Sequence, residues 1–452
     1  MKNEYDIIVV GACTAGAYFA RNMAEKGYSV LVLEKSAKED VGKRLDIFHM
    51  DKQEMLSYSV PVPQPGDRDY YHSFEYSASR SALGNWEKRH EHTVLVLDLA
   101  GYIGRLADWA EQSGVEFSYE SEFKDFLFDD EGKICGVKAV KDSAEVSVKA
   151  RLVADCSGIG SSVRRKLPDL YGVENFKIDG KSKFYVICRY IHFADKEKNK
   201  VTHTISWPYY KVWLAPQQDS DGALLGVGAN LSFDYAERSL ENFLDTIGLD
   251  DYTVDYIQKG ATPYRRPPYS FVADGYICMG DSACLTKPSN GEGVTAAWYL
   301  SKIAVDIVDK AMQDGKYPTR EALWEINPLY QSTQGADFAT LLAQLTGAVD
   351  CTKEENDYEF KKSIIFKDNL LNSKKSSKFA DALSLAGGLL GGVLSSNISI
   401  ATVKKLLHYS SIASKIKKHY RAYPANPEDF PQWEIKANEL WGLAGTMADV
   451  LE

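Results

Sequence analysis

The first thirty-five residues constrain the fold more than any other stretch. Residues 5–16 read Tyr-Asp-Ile-Ile-Val-Val-Gly-Ala-Cys-Thr-Ala-Gly, and residues 30–35 read Val-Leu-Val-Leu-Glu-Lys. Ile7 to Val10 is short, β-branched and apolar on both faces, as a strand buried inside a parallel sheet must be. Gly11 supplies a tight turn. From Gly16 onward Ala17, Ala20, Met23 and Ala24 recur at helical spacing, and Gly27 ends the helix. Ser29 to Leu33 is a second buried strand, closed by Glu34. Strand, glycine turn, helix, strand and terminal acid in this order predict a βαβ unit that binds a nucleotide. The helix start presents N–H groups to a pyrophosphate, and Glu34 accepts hydrogen bonds from the adenosine ribose. Cys13 replaces the glycine that lets the backbone approach the phosphates, and its small side chain crowds them only mildly. A βαβ unit that binds nothing is the plain alternative.

Two later stretches cross the same sheet edge. Residues 151–158 read Arg-Leu-Val-Ala-Asp-Cys-Ser-Gly and continue to Arg164 and Arg165. They are read as a buried strand, an acid at Asp155, a glycine turn and a helix opening with Ser and Arg. Residues 276–281, Tyr-Ile-Cys-Met-Gly-Asp, end another strand in Gly280-Asp281. Asp281 is thereby placed to accept a ribityl hydroxyl. Lys287 to Gly293 then leads into a long helix with Ala297, Leu300, Ala304, Ile307 and Val308 on its buried face. Gly291 and Gly293 let that helix N-terminus approach a ring, where its dipole favours negative charge on the N1 and O2 edge of a reduced flavin. Gly226-Val227-Gly228 is not a second fingerprint, because no helix follows it.

Between these stretches the reading is coarser. A loop after Lys35 carries Arg44, Asp46 and His49 past the carboxyl end of the second strand. Arg44 is placed to reach a phosphate and Asp46 or His49 to face the reacting ring, against the alternative of a solvated charged loop. Residues 51–92 are turn-rich and aromatic without a motif. A helix is expected over 98–114, a hairpin turn at 129–132, and antiparallel strands at 184–192, 201–205, 210–215 and 223–233. Strand alternation separates Tyr210, Val212 and Leu214 from Lys211, Trp213 and Ala215.

Composition excludes some functions. A formal charge of −10 and a pI near 5.5 argue against nucleic acid as the partner. The seven cysteines are scattered, without metal-ligand spacing, so no metal and no disulfide is expected. No apolar run spans a bilayer and the N-terminus lacks a signal sequence, which predicts a cytoplasmic protein. Residues 403–421 carry Lys404, Lys405, Lys415, Lys417, Lys418 and Arg421 and no acid. Such a helix either packs on its own domain or lies on an anionic membrane as a peripheral contact.

In order and spacing the three stretches resemble the p-hydroxybenzoate hydroxylase-like flavoproteins, and within them the geranylgeranyl reductase family, over residues 1–345. The resemblance implies an α/β fold: a Rossmann-like FAD-binding domain (GR2 type), an inserted antiparallel-sheet substrate domain and a helical C-terminal region. The division is 1–175 and 256–345 for the FAD domain, 176–255 for the substrate domain, with 51–97 contributing to its side, and 346–452 for the helices. It implies FAD as cofactor, with the pyrophosphate on Gly11, Cys13, Thr14, Ala15 and Gly16 and the ribose at Glu34 and Lys35. Arg44 then lies beside the phosphates, Asp155, Gly280 and Asp281 near the pyrophosphate or ribityl chain, and the flavin ring under Pro288, Gly291, Glu292, Gly293 and Val294. Pro263 and Arg266 also match. Three positions depart from the family: Leu45 where members often carry cysteine, Tyr210 to Pro216 as a loosened Tyr-x-Trp-x-Phe-Pro motif, and Asp155-Cys156-Ser157-Gly158 for the middle Asp-Gly.

The leading expectation is a reductase of carbon–carbon double bonds in an apolar, isoprenoid-like small molecule, with hydride from flavin N5. The external electron donor is NAD(P)H or a reduced electron-transfer protein. Trp207, Tyr209, Tyr210 and Trp213 are expected to line the substrate tunnel, and Tyr210, Asp46 or His49 to deliver the proton. The alternatives are a flavin-dependent monooxygenase or halogenase acting on an aromatic substrate, and a non-catalytic flavin-binding scaffold.

Overall fold

The computed structural model describes residues 2–195, 203–206, 210–218, 222–348, 351–364, 387–446 and 449, with backbone alone for 203–206, 210, 211, 247 and 348. Trp207 and Tyr209 lie outside the described residues, and Tyr210 is described by its backbone only.

The nucleotide-binding pattern becomes a six-stranded sheet of β1 (Ile7–Val10), β2 (Val30–Leu33), β6 (Glu116–Ser118), β10 (Leu152–Asp155), β16 (Val272–Ala273) and β17 (Tyr276–Cys278). Their order is β16-β17-β10-β1-β2-β6, parallel except between β16 and β17. Every residue of β1, β2 and β10 is buried, because both faces of this sheet are covered. Helices α1 (Thr14–Glu25) and α5 (Val294–Met312) pack on the core formed with the sheet. A meander of β7 (Ser121–Phe128), β8 (Ile134–Lys141) and β9 (Ala144–Lys149) adds Phe123, Phe126, Val137 and Val148 to that core. The expected turn at 129–132 joins β7 to β8, with Asp129 Oδ1 accepting from the N–H groups of Glu131 and Lys133.

The second sheet has eight strands: β3 (Ile47–Asp51), β4 (Tyr70–Arg80), β5 (Glu87–Asp98), β11 (Lys183–Phe193), β12 (His203–Ser206), β13 (Tyr210–Pro216), β14 (Gly222–Ala229) and β15 (Tyr252–Pro263). Their order is β15-β11-β14-β13-β12-β4-β5-β3. The segment that the sequence left as turns is thus a long hairpin, β4–β5, in the same sheet as residues 183–263. Its strands are half-exposed along most of their length: in β4 Phe74, Tyr76 and Ala78 alternate with Ser73, Glu75, Ser77 and Ser79, whereas residues 87–92 of β5 are polar on both faces.

Two further expectations fail for local reasons. The strand expected over 223–233 ends at Ala229, and Ser232 caps α4 (Phe233–Ile247), its Oγ accepting from Tyr235 N–H. Ala236, Leu240, Phe243 and Leu244 pack this helix on the sheet, and Gly248 stops it with a positive φ. The helix expected after Asp155 is replaced by short 3-10 turns at Gly158–Gly160 and Arg164–Lys166. The fully buried Arg164 takes up three backbone carbonyls there, those of Ser282, Glu174 and Phe176.

Further helices among the described residues are α2 (Lys52–Ser57), α3 (Leu99–Glu111), α6 (Arg320–Leu323), α7 (Ile326–Tyr330), α8 (Ala336–Ala348), α9 (Lys353–Lys361), α10 (Ile400–Arg421) and α11 (Phe430–Ala444), and residues 387–394 are helical as well. The basic helix expected over 403–421 is α10, and Ile412, Ala413, Ile416 and Tyr420 bury one of its faces in the main core.

Candidate active site

Three pieces of backbone converge at the carboxyl end of the parallel sheet. Gly11 has φ +112°, and a Cβ there would lie 2.3 Å from the carbonyl oxygen of Cys156. A Cβ on Gly16 would lie 2.1 Å from the carbonyl oxygen of Gly11, so both positions admit glycine alone. Cys13 stands at the N-cap of α1 with its thiol directed at the Cys156 carbonyl, 3.6 Å away. Burial pushes that thiol upward in pKa, against the N–H groups of Gly16 and Ala15 and the charge of Arg44, so it is neutral. The Glu34 carboxylate is fixed at the end of β2 by Ala12 N–H (3.0 Å) and Ser36 N–H (2.9 Å). Each oxygen keeps a lone pair for a ribose hydroxyl. Lys35, next in the chain, and Arg44 are exposed.

The third stretch closes the cradle. Trp298 Nε1–H donates to the carbonyl of Thr14 at 3.1 Å, tying α5 to the first turn of α1. A Cβ on Gly280 would touch Ala15 Cβ at 3.3 Å, and one on Gly293 would lie 3.2 Å from Asp281 Oδ1. Asp281 therefore stands between the two helix N-termini. Its carboxylate accepts no hydrogen bond among the described residues, and burial raises its pKa while the charge of Arg44 lowers it. An enclosed carboxylate without a donor between two helix starts is suited to ligand hydroxyls. Pro288 is buried, Gly291 (φ +73°) faces Thr262 and opens the way to α5, Val294 begins that helix, and the Glu292 carboxylate accepts from the Thr295 hydroxyl.

Asp155 needs correction. Its carboxylate is fully buried and accepts from Ser157 N–H, Ser157 Oγ, Arg164 N–H and the Tyr276 hydroxyl, leaving nothing for a cofactor. It braces the 157–164 turn instead.

Beyond the cradle the eight-stranded sheet curls until its edges meet. Asp46, just before edge strand β3, accepts from the Tyr256 hydroxyl (2.9 Å) and Gln258 Nε2 (2.8 Å) of edge strand β15, and its own N–H donates to Gln258 Oε1 (2.9 Å). The Tyr190 hydroxyl donates to the same Gln258 oxygen at 2.8 Å, and the rings of Tyr190 and Tyr256 stack with centroids 4.1 Å apart. The interior of this roll is lined by Leu45, Phe74, Cys188, Trp213 and Leu224 beside the two tyrosines. Val212 and Leu214 face α4 on the outer side, as alternation requires. Tyr190, Tyr256 and Gln258 were missed in the sequence, where they are ordinary strand residues. Only the fold opposes them to Asp46.

His49 is not an acid. Its Nε2 lies 2.9 Å from the carbonyl of Pro216, and burial, with His72 nearby, pushes its pKa down to about 4. The ring is neutral near pH 7 and fastens β3 to the end of β13.

Residues 4–183 match the family model of an FAD binding domain. A digeranylgeranylglycerophospholipid reductase of Sulfolobus acidocaldarius is 23% identical over 449 residues, covering 97% of each chain. A second such reductase, from Methanococcoides burtonii, is 24% identical over 78% of this chain and 87% of its own length. Among solved structures, a geranylgeranyl bacteriochlorophyll reductase-like protein of Thermoplasma acidophilum aligns with TM-score 0.69 and 16% identity, covering 88% of this chain and 100% of its own. The chain is an FAD-dependent oxidoreductase, similar along its length to proteins named as geranylgeranyl-type reductases. A flavin-dependent brominase aligns with TM-score 0.62 and 18% identity, covering 85% of this chain and 94% of its own, so the flavoprotein shares its fold with halogenases too.

Proposed function

We propose that the flavoprotein reduces carbon–carbon double bonds of an apolar, isoprenoid-like lipid inside the rolled sheet. The observation that supports this reading is the interior itself: aliphatic and aromatic side chains surround a small polar cluster of Asp46, Tyr256, Gln258 and the Tyr190 hydroxyl. Arg44 links this interior to the flavin cradle, since its charge acts on Cys13 and Asp281 while the adjoining Leu45 and Asp46 belong to the roll. The names carried by the full-length relatives point to the same substrate class.

The FAD, when bound, supplies hydride at N5, replenished by NAD(P)H or a reduced electron-transfer protein. Glu34 would hold the adenosine ribose, the first turn of α1 the pyrophosphate and Asp281 the ribityl chain. The apolar roll excludes water from the alkene. Tyr256 places its hydroxyl there, oriented by Asp46. Burial first, and then the Asp46 hydrogen bond, push that phenol well above its ordinary pKa. A weak acid of this kind would give its proton only to a carbon on which negative charge builds.

The test is anaerobic. The purified holoprotein is reduced with dithionite and challenged in turn with prenyl lipids, quinones and aromatic acids, following the flavin absorbance. Reoxidation by prenyl lipids with formation of the saturated product is expected. Reoxidation by oxygen and an aromatic acid alone would sink the reading.

A further inference from the structure

The outward side of α10 and of the helical residues 387–394 is apolar and basic at once. Leu390 and Leu394, four residues apart and so on one helix face, are 66% and 86% exposed, whereas Leu389 is buried. Ile400 and Leu407, seven apart on α10, are 61% and 52% exposed. Helix α9 lies beneath both pieces. Tyr358 donates to the carbonyl of Gly388 at 3.0 Å and leaves no room for a side chain at Gly392, while Glu355 Oε1 accepts from Ser399 N–H and Thr402 Oγ1. The four aliphatic side chains therefore project away from α9.

Charge follows the same division. Lys417 turns inward to Asp337 at 2.6 Å, and Lys405 lies over the buried Glu359. Lys404, Lys415 and Lys418 are exposed and form no ion pair among the described residues. Residues 403–421 contain no acid, in a chain whose net charge is −10.

We propose that this face docks the protein on an anionic lipid bilayer. Leu390, Leu394, Ile400 and Leu407 enter the boundary between headgroups and acyl chains, and Lys404, Lys415 and Lys418 meet lipid phosphates. The rest of the acidic molecule is repelled by such a surface, which fixes the orientation. A second copy of the chain would set these lysines against their own counterparts, so self-association is disfavoured. The choice of a bilayer over a protein partner rests on the reading of a lipid substrate, whose hydrocarbon chain has to be drawn from a membrane.

The holoprotein is floated with vesicles of pure phosphatidylcholine and with vesicles of equal parts phosphatidylcholine and phosphatidylglycerol. Wild type should float with the anionic vesicles only. The triple variant Lys404→Gln/Lys415→Gln/Lys418→Gln should bind them on the order of a hundredfold more weakly, at about fivefold per lysine. Leu390→Asp/Leu394→Asp should lose binding even at low salt. Both variants should keep wild-type far-ultraviolet dichroism, flavin content and turnover of detergent-dispersed lipid. Equal flotation of wild type and variants, no flotation at all, or a wild-type dimer that Leu390→Asp/Leu394→Asp makes monomeric would overturn the docking. A protein that floats as expected yet reduces no lipid leaves the docking standing and removes the proposed substrate.

Discussion

Trp213 is the cross-strand partner of Gly226, and its indole occupies the place of the missing side chain: a Cβ at Gly226 would stand 2.1 Å from Trp213 Cε2. Gly226→Ala should therefore push the indole off the sheet and into the roll. The overpacking should cost about 1–3 kcal/mol in unfolding free energy. Because the cradle lies elsewhere, flavin content should stay at the wild-type level while KM for a long prenyl substrate rises. Tryptophan fluorescence with steady-state kinetics checks this, and an unchanged KM would remove Trp213 from the lining.

Glu34 is tied to Ala12 and Ser36 before any ligand arrives. Its orientation therefore costs a ribose nothing on binding. Glu34→Ala should weaken FAD binding by roughly tenfold to a hundredfold, the range for a hydrogen bond to a charged group. Titration of the apoprotein with FAD, following flavin fluorescence, measures it. Unchanged affinity would show the ribose assignment to be wrong.

The parallel sheet and its cradle were legible because each element there has a local signature. Ile7 to Val10 is apolar throughout, Gly11 and Gly16 allow no other residue, and Gly280-Asp281 ends a buried strand. The roll was not legible, because Asp46 and Tyr256 are 210 residues apart and only sheet curvature brings them together. Residues 70–98 hid for a different reason: the alternation of Phe74, Tyr76 and Ala78 with Ser73, Glu75 and Ser77 is short, and residues 87–92 are polar on both faces. Helix α4 was legible after all: Ser232, the apolar spacing 236-240-243-244 and Gly248 are ordinary start, face and stop signals that an expected strand obscured. Asp155 looked like a ligand acid because sequence cannot reveal that four donors already surround a carboxylate.

The Asp46–Tyr256 pair and His49 separate kinetically. Tyr256→Phe should leave flavin reduction by dithionite unchanged and slow reoxidation by the alkene about a hundredfold, the lower end for loss of a general acid. Asp46→Asn keeps an acceptor for the phenol and should slow the same step less. His49→Gln should alter neither step appreciably, since a ring with pKa near 4 carries no proton to give at neutral pH. Stopped-flow absorbance resolves the two half-reactions. A hundredfold loss in His49→Gln with wild-type behaviour in Tyr256→Phe would reverse the roles.

Glu359 of α9 sets a pH dependence on the C-terminal helices. It is fully buried, its Oε1 faces Cys351, its Oε2 has no partner among the described residues, and Glu355 and Lys405 are its charged neighbours there. Burial, and then the charge of Glu355, raise its pKa from about 4.5 to about 8. The folded state thus holds a proton that the unfolded chain has lost throughout that interval. Its stabilising effect is complete below about pH 4.5 and disappears as pH climbs to about 8, at up to about 1.4 kcal/mol per pH unit. Glu359→Gln replaces the protonated acid with a neutral group of the same shape. Thermal melts between mildly acidic and mildly alkaline pH should show wild type losing stability toward pH 8 and levelling above it, with the variant flatter and the more stable of the two at the alkaline end. Parallel curves for the two proteins would mean that Glu359 is ionised in the folded state.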